Sequence, residues 1–382
     1  MLSTNFKFLP FVVFGLAILL GGHYFIYRSL IGVFNIDSAL FKFGLAAFFF
    51  IMPAGFFVSS FLAHASPNLI TKVLYIISAA WLGIAVNLLL AACFIRIIFW
   101  LANLAELDFN RVFLGAGVFL LAVIFSGYGF WNAFNLQIKN IEAPIKNLPL
   151  NWQGKTIVQL SDIHLGRVHG INFLRRIVAQ TNAQNPDLIL ITGDLFDGMD
   201  GGLDIFIEQL NYLQAKNGVF FVTGNHESYV GLDKALAVLG QTKIKILSNE
   251  VVNLDGLQIV GINYSLLSDS SGLTGRADNE AKIINSLPGF DKNKPSILMY
   301  HSPANIEQAI AAGISFQLSG HTHQGQIWLF NLFTRLIYGR YNYGLHSVKD
   351  FLIYTTNGIG TWGPPMRTGS PPEIPVFKLR IK

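Results

Sequence analysis

The chain has 382 residues, of which 52% are hydrophobic and only 13% are charged. An ordinary soluble domain carries about 25% charged residues, so the composition disfavours a chain that is soluble throughout. The net charge of +5 is modest, and the sequence has no basic helix with interleaved aromatic residues, so we expect no nucleic-acid partner.

Four long apolar stretches occupy the first third of the chain, at residues 8–27, 40–62, 73–95 and 112–130. Each approaches or exceeds the roughly 20 residues that a helix needs to cross a hydrocarbon core. We therefore predict a transmembrane region of four helices over residues 1–133, in a multi-pass protein of the cell membrane whose partner is the lipid bilayer. Two alternatives stay open: a cleaved signal peptide for the first stretch, and a very hydrophobic soluble helical domain for all four.

Residues 134–152 are predicted to connect this region to a soluble domain at 153–382. The alternation of Leu136 and Ile138 indicates that part of the connector packs as a strand. The sole cysteine, Cys93, lies in the third apolar stretch, so no disulfide can form within the chain.

The soluble domain is predicted to alternate strands and helices first and then to consist mostly of strands. That order favours a parallel or mixed sheet that meets a second sheet, with helices outside. A hairpin is predicted within 244–263, turning at Asp255-Gly256. The other strands are predicted at 155–160, 187–192, 219–223, 296–300, 315–319, 326–329, 351–355 and 375–380, and the helices near 171–184, 203–215, 232–239, 278–287 and 304–312.

Five of these strand-like runs end in residues that bind metals. The carboxyl ends of strands are where α/β sheets build their sites. Each segment alone is weak evidence, but five of the nine histidines fall on such ends, and together they predict one metal site. The segments are Ser161-Asp162-Ile163-His164, Gly193-Asp194, Gly224-Asn225-His226, Tyr300-His301 and Gly320-His321-Thr322-His323.

The residue types in these segments indicate separate roles. Asp162 and His164 flank one residue, so both point to the same side of an extended strand end and can bind one ion. The carboxylate of Asp194 can bridge two ions. Asn225 offers an amide oxygen, and the adjacent His226 is left for proton chemistry.

Imidazoles from His301, His321 and His323 suit Mn, Fe or Zn better than Mg or Ca. Two divalent ions that share a carboxylate are an arrangement that hydrolyses phosphate esters, so the sequence predicts a dinuclear phosphoesterase. The remaining histidines are predicted to lie at interfaces or on the surface; they are His23, His64, His169 and His346.

The same series of motifs resembles the calcineurin-like metallophosphoesterase superfamily across residues 153–382. Residues 320–328 and 360–367 resemble its membrane-attached branch, the transmembrane proteins with a metallophosphoesterase domain. The resemblance implies a four-layer αββα sandwich of two mixed sheets.

Carried over by position, the resemblance divides the ligands between two ions. One ion would be held by Asp162, His164 and His323, the other by Asn225, His301 and His321, with Asp194 shared. His226 would act at the leaving group, and Asp197 resembles the carboxylate that orients this histidine, although a solvated loop acid is the alternative.

The protein phosphatases of the superfamily carry Asp-Arg-Gly after this loop, whereas Gly198 and Met199 follow Asp197 here. The arginine that binds substrate phosphate is missing, which disfavours a protein phosphatase. Arg367 is a candidate replacement contact for the phosphate, and a structural arginine is the alternative.

We therefore expect a membrane-bound, metal-dependent hydrolase of phosphodiester or pyrophosphate bonds, with a lipid-linked substrate such as a UDP-diacylglucosamine-like lipid. Basic residues near the span ends are evenly divided between the two sides, so only the nucleotide-lipid hypothesis places the catalytic domain on the cytoplasmic face. The alternatives are a general phosphodiesterase for soluble nucleotides and a membrane sensor or scaffold without hydrolysis. The sequence does not determine the oligomeric state.

Overall fold

The computed structural model describes residues 9–66, 68–198, 202–264 and 277–382. Residue 8, where the first predicted span begins, and Met199 lie outside these ranges. The chain divides into two compact units, one of residues 1–131 with 363–366 and one of residues 132–362 with 367–382.

The first unit contains four long helices: α1 (Leu9–Phe34), α2 (Ala39–Ala65), α3 (Leu69–Leu104) and α4 (Arg111–Ala133). All four are long and apolar enough to cross a membrane, which confirms the four predicted apolar helices. Helix α3 begins earlier than the apolar pattern because Asn68 and Thr71 form a capping box at its start. His23 is buried beside Trp81, whose indole Nε1 donates to His23 Nε2 at 3.1 Å, so His23 does not lie on the surface of the protein.

Two six-stranded sheets form the centre of the second unit. One has the order β1-β12-β2-β3-β4-β5, and the other has the order β10-β11-β9-β8-β7-β6. The strands are β1 (Gln137–Ile145), β2 (Thr156–Leu160), β3 (Leu188–Thr192), β4 (Val219–Val222), β5 (Lys245–Ile246), β6 (Glu250–Leu254), β7 (Leu257–Gly261), β8 (Ser296–Met299), β9 (Phe316–Ser319), β10 (Gly344–Val348), β11 (Phe351–Thr355) and β12 (Glu373–Ile381).

Seven helices lie within the described residues of this unit: α5 (Ile171–Asn182), α6 (Ile207–Leu210), α7 (Asn225–Val230), α8 (Leu232–Leu239), α9 (Ala277–Ser286), α10 (Ile306–Ala312) and α11 (Phe330–Tyr338). The apolar faces of the two sheets meet in one core, which includes Leu190, Ile259 and Phe316. Helices cover the outer face of each sheet through separate cores. These layers are the four-layer αββα sandwich that the sequence predicts.

The structure differs from the sequence prediction in several elements. Residues 326–329 are not a strand, because Gln326 and Leu329 have φ of 53° and 80°, which interrupt an extended backbone. Helix α11 and strand β10, which the sequence analysis did not predict, follow instead. The predicted helix at 203–215 shortens to a 3₁₀ turn at Asp204–Phe206 followed by α6. The strand predicted within the connector is present as β1, which pairs in parallel with β12 at the edge of its sheet.

Candidate metal centre

The predicted ligands converge because five parallel strands end at one place. Strands β2, β3 and β4 are neighbours in one sheet, and β8 and β9 are neighbours in the facing sheet. Parallel neighbours share a carboxyl edge, so the segments after these strands meet where the two sheets face each other. They carry all seven predicted metal ligands, namely Asp162, His164, Asp194, Asn225, His301, His321 and His323.

The side-chain atoms of these residues face one another at short distances. His164 Nε2 lies 3.1 Å from His323 Nε2, which lies 3.3 Å from Asp162 Oδ1. His301 Nε2 lies 3.1 Å from Asp194 Oδ2. Three groups of donors that could each hold a metal ion result: Asp162, His164 and His323; His164, Asp194 and His226; and Asp194, His301 and His321.

The donor set fits divalent ions. The Nε2 atoms of His164 and His323 face each other beside a carboxylate, and a cation is the partner that all three groups can share. Asn225 joins the group of Asp194, His301 and His321, since its Oδ1 lies 2.9 Å from His321 Nδ1. Imidazole nitrogens mixed with carboxylate oxygens suit Mn, Fe or Zn.

Five of the seven ligands lie on strained backbone. Their φ angles fall between 48° and 71°, a left-handed region that costs about 1–2 kcal/mol for a residue with a side chain. Such strain persists where the surrounding structure enforces it, commonly at functional sites. The five are Asp162, His164, Asp194, His321 and His323.

Two glycines make room for the carboxylates. A Cβ atom at Gly224 would collide with Asp194, and one at Gly320 would collide with Asp162 and Ser161. Both positions therefore require glycine, because any larger residue would collide with a ligand carboxylate.

Burial and charge act in opposite directions on the ligands. Burial alone would raise the pKa of Asp162 and of Asp194, but the neighbouring histidines outweigh it and lower both. Burial, with the charge of His301, lowers the pKa of His321 to about 4. Ionised carboxylates and a neutral imidazole are the protonation states that metal ligands need.

His301 shows the opposite balance. Burial acts to lower its pKa, but Asp194 outweighs burial and raises it to about 10. Its Nδ1 lies 2.8 Å from the carbonyl oxygen of Thr192, which leaves Nε2 directed at Asp194. A bound cation would have to displace the proton that Asp194 stabilises here.

Glu227 holds the loop that carries Asp194 and was not predicted as a site residue. Its buried carboxylate accepts hydrogen bonds from the backbone N–H groups of Asp194, Leu195, Phe196 and Gly224, at 2.7–3.2 Å. Burial and the charge of Asp194 raise its pKa to about 7. Its position directly after Gly224-Asn225-His226 is the sequence signal that could have identified it.

His226 lies beside the shared carboxylate. Its Nε2 is 4.0 Å from Asp194 Oδ2, and its Nδ1 is 2.7 Å from the backbone carbonyl oxygen of Asp197. The carboxylate of Asp197 lies 3.7 Å from His164 Nδ1. In the structure the backbone of Asp197 orients His226, and its side chain is buried rather than a solvated loop acid.

Arg367 is fully buried behind His323. Its Nη2 lies 3.0 Å from His323 Nδ1 and donates to the carbonyl oxygen of Asn357 at 2.8 Å. Its Nε and Nη1 donate to Gly360 O and to Ser370 Oγ. The guanidinium therefore contacts protein groups on each side, as expected of a structural arginine.

His169 is buried as well, so its predicted surface position is wrong. Its ring stacks on Phe173, and its Nε2 accepts a hydrogen bond from the backbone N–H of Thr361 at 2.8 Å. Burial, with the charge of Arg367, lowers its pKa to about 3. No pattern in the sequence indicates that residues 360–361 return to cover this histidine.

Comparison with known proteins identifies the family to which the chain is similar. The model of the calcineurin-like phosphoesterase family matches residues 155–325. An uncharacterized metallophosphoesterase of Campylobacter jejuni is 31% identical over an alignment that covers 100% of both chains. A transmembrane protein with metallophosphoesterase domain from Bos taurus is 30% identical, over 96% of this chain and 88% of its own. A solved dimetal phosphatase from Danio rerio has a TM-score of 0.34 and 13% identity, over 54% of this chain and 88% of its own.

The sandwich fold and its cluster of histidines and aspartates define a metal-dependent phosphoester hydrolase. The chain belongs to the calcineurin-like phosphoesterase family.

Proposed function

We propose that the protein is an integral membrane hydrolase with two divalent ions, Mn, Fe or Zn, that cleaves phosphodiester or pyrophosphate bonds of a lipid-linked substrate. A UDP-diacylglucosamine-like lipid is the type of substrate that we favour. The observation that carries the proposal is the convergence of seven ligand residues in a chain with four helices long enough to cross a membrane.

Asp162, His164 and His323 are assigned to one ion and Asn225, His301 and His321 to the other. Asp194 is assigned to both, and its position supports this, because it lies in one group of donors with His164 of the first ion and in another with His301 and His321 of the second. Two ions so held would supply Lewis acidity and an activated water near neutral pH.

His226 is assigned as the acid at the leaving group. The carbonyl oxygen of Asp197 accepts from Nδ1–H, which fixes the ring and leaves Nε2 directed toward the cluster. Its side chain is 14% exposed, so a substrate can reach it while bulk water is largely excluded. Arg367, which contacts His323 instead of the open side of the cluster, is assigned to positioning that ligand.

Tyrosine rings surround the ligands. Tyr229 lies 5.0 Å from His226, Tyr264 lies 5.6 Å from His301, and Tyr338 lies 6.1 Å from His321, measured between ring centroids. Aromatic rims suit a substrate that carries a planar base or an apolar group beside its phosphate. This rim also favours a second candidate, a phosphodiesterase for soluble nucleotides.

A substrate panel separates the two candidates. The full-length protein in detergent with added Mn would be assayed on a UDP-linked diacylated glucosamine, its deacylated form and soluble nucleotide diesters. We expect the acylated lipid to have the highest kcat/KM. Indifference to the acyl chains would contradict the lipid substrate, and no hydrolysis of any diester would favour a sensor or scaffold.

Two variants test the assigned roles. We expect Asp194→Asn to lose bound metal and to abolish turnover, because both ions share this carboxylate. His226→Ala should retain metal and lower kcat by roughly 100- to 10,000-fold, the range for a lost general acid. Metal analysis and kinetics measure both, with His346→Ala as a control outside the cluster. Full activity in Asp194→Asn would end the dinuclear proposal.

A further inference from the structure

Helix α11 follows the last ligand segment and leaves its large apolar side chains in solvent. None of its residues is buried, and Leu336 is 83% exposed. The apolar face consists of five side chains: Phe330, Leu332, Phe333, Leu336 and Ile337.

The buried and exposed faces of α11 are reversed relative to those of a helix on the surface of a soluble domain. At 3.6 residues per turn, the five apolar side chains fall within an arc of about 160°. Asn331, Thr334 and Tyr338 lie on the opposite arc and are half-buried. A soluble domain buries the apolar face and exposes the polar one. Here the polar face lies against the protein and the apolar face is exposed.

The side chains around the apolar face are those of a helix at a membrane surface. Trp328 precedes the helix and is 49% exposed, Arg335 is exposed at the border of the apolar arc, and Arg340 is exposed just after the helix. Aromatic and basic residues beside an apolar face are typical of helices that lie in the headgroup region. The two arginines would also complement anionic lipid headgroups.

We propose that the apolar face of α11 inserts into the boundary between headgroups and acyl chains of the bilayer to which the chain is attached. The chain supplies the reason to choose a bilayer over another occupant. Helix α4 ends at Ala133 and β1 begins at Gln137, so a membrane-crossing α4 keeps the start of β1 within about 15 Å of its end.

The inner face of the same helix lies at the metal cluster. The ring of Tyr338 is 6.1 Å from that of His321. Insertion of α11 would therefore bring the cluster to the depth of lipid phosphates. The inference concerns membrane contact and holds whichever phosphoester is the substrate.

A site-specific probe in the full-length protein tests the insertion. In a Cys93→Ser background, Leu336→Cys would be labelled with a nitrobenzoxadiazole fluorophore and reconstituted into nanodiscs of mixed phosphatidylcholine and phosphatidylglycerol. The matched control is the same label on Lys245→Cys, an exposed position on β5. Leu336 is so exposed that its substitution removes little packing, and hydrolysis of bis(p-nitrophenyl) phosphate checks that each labelled protein is folded.

We expect the label at position 336 to emit at shorter wavelength than the control. Lipids with a nitroxide near the headgroup should quench it severalfold more strongly, and aqueous iodide should quench it less. Equal iodide quenching of both labels without quenching by lipid would overturn the proposal. Protection from iodide that grows with the number of chains per disc, without quenching by lipid, would also overturn it, since a second copy would then cover the face.

Discussion

Glu227 decides how firmly the loop with Asp194 is held. Each oxygen of its carboxylate accepts two backbone N–H groups. In Glu227→Gln an amide NH₂ faces donors, so some of these buried N–H groups lose their partner. We expect a loss of about 1–3 kcal/mol in the free energy of unfolding.

Thermal unfolding in detergent, followed by tryptophan fluorescence, measures this loss. Glu250→Gln, at an exposed position on β6, is the matched control and should change stability by less than about 0.5 kcal/mol. Equal melting temperatures for the two variants would show that Glu227 does not support the loop.

Arg367 contacts a predicted metal ligand and nearby backbone through several atoms of its guanidinium group. Its planar fork contacts His323, Asn357 and Gly360 together, and the single ammonium of lysine cannot reproduce that geometry. We expect Arg367→Lys to weaken metal binding by about 10- to 100-fold, as for other residues that orient metal ligands. Competition with a fluorescent chelator measures the affinity, with the exposed Arg340→Lys as control. Unchanged affinity, with only the KM for substrate raised, would instead assign Arg367 to the substrate phosphate.

A buried carboxylate forms hydrogen bonds between a strand of one sheet and a strand of the other. Glu373, on β12 of the first sheet, accepts hydrogen bonds from Tyr354 Oη at 2.7 Å and Thr356 Oγ1 at 3.0 Å, on and just after β11 of the second. Burial, with the charge of Glu373, raises the pKa of Tyr354, so the phenol stays a donor.

A double-mutant cycle of Glu373→Gln and Tyr354→Phe measures the coupling free energy between these two side chains. Hydrogen bonds to a charged group contribute about 1.5–3 kcal/mol, so we expect a coupling energy of that order in chemical unfolding. The pair of Glu373→Gln with Tyr212→Phe, which lies near α6, should be additive within about 0.5 kcal/mol. Additivity in both pairs would mean that the hydrogen bond between Tyr354 and Glu373 does not stabilise the contact between the sheets.

The elements that the sequence predicts well are those whose environment is uniform. Strands such as Leu188–Thr192 are buried on both faces and show as continuous apolar runs, and their ends identify the ligand segments. Residues 327–329 also form an apolar run, but the positive φ angles of Gln326 and Leu329 and the inverted helix after them depend on what surrounds them. A prediction from hydrophobic patterning assumes that apolar side chains face the protein and polar side chains face water. In α11 the two faces are reversed, so such a prediction fails for this helix.

The residues that support the predicted ligands were not predicted themselves, for a related reason. Glu227 and His169 contact backbone N–H groups that are distant in sequence. Nearly every residue has a backbone N–H, so the amino-acid sequence does not indicate which of them will make such a contact. Asp197 shows the same limit, since its backbone carbonyl oxygen contacts His226. Spacing along strands predicts which side chains converge, whereas the tertiary fold decides what holds them.

At the scale of the whole molecule, the side of the membrane on which the metal cluster lies remains a prediction. Basic residues near the span ends do not decide it, because they are evenly divided. The proposed substrate does, since a nucleotide-linked lipid is made from nucleotides of the cytoplasm. We therefore expect the second unit to face the cytoplasm.

Cysteine labelling tests this orientation. In a Cys93→Ser background, Lys245→Cys places one thiol at an exposed position of the second unit. A membrane-impermeant maleimide applied to intact cells should leave it unlabelled, and labelling should appear once the cells are permeabilised, because the reagent then reaches the cytoplasmic face. A cysteine in the loop between α2 and α3, at Asn68, should behave in the same way, since two spans separate that loop from the second unit. Labelling of Lys245→Cys in intact cells would place the cluster outside and exclude a substrate confined to the cytoplasmic leaflet.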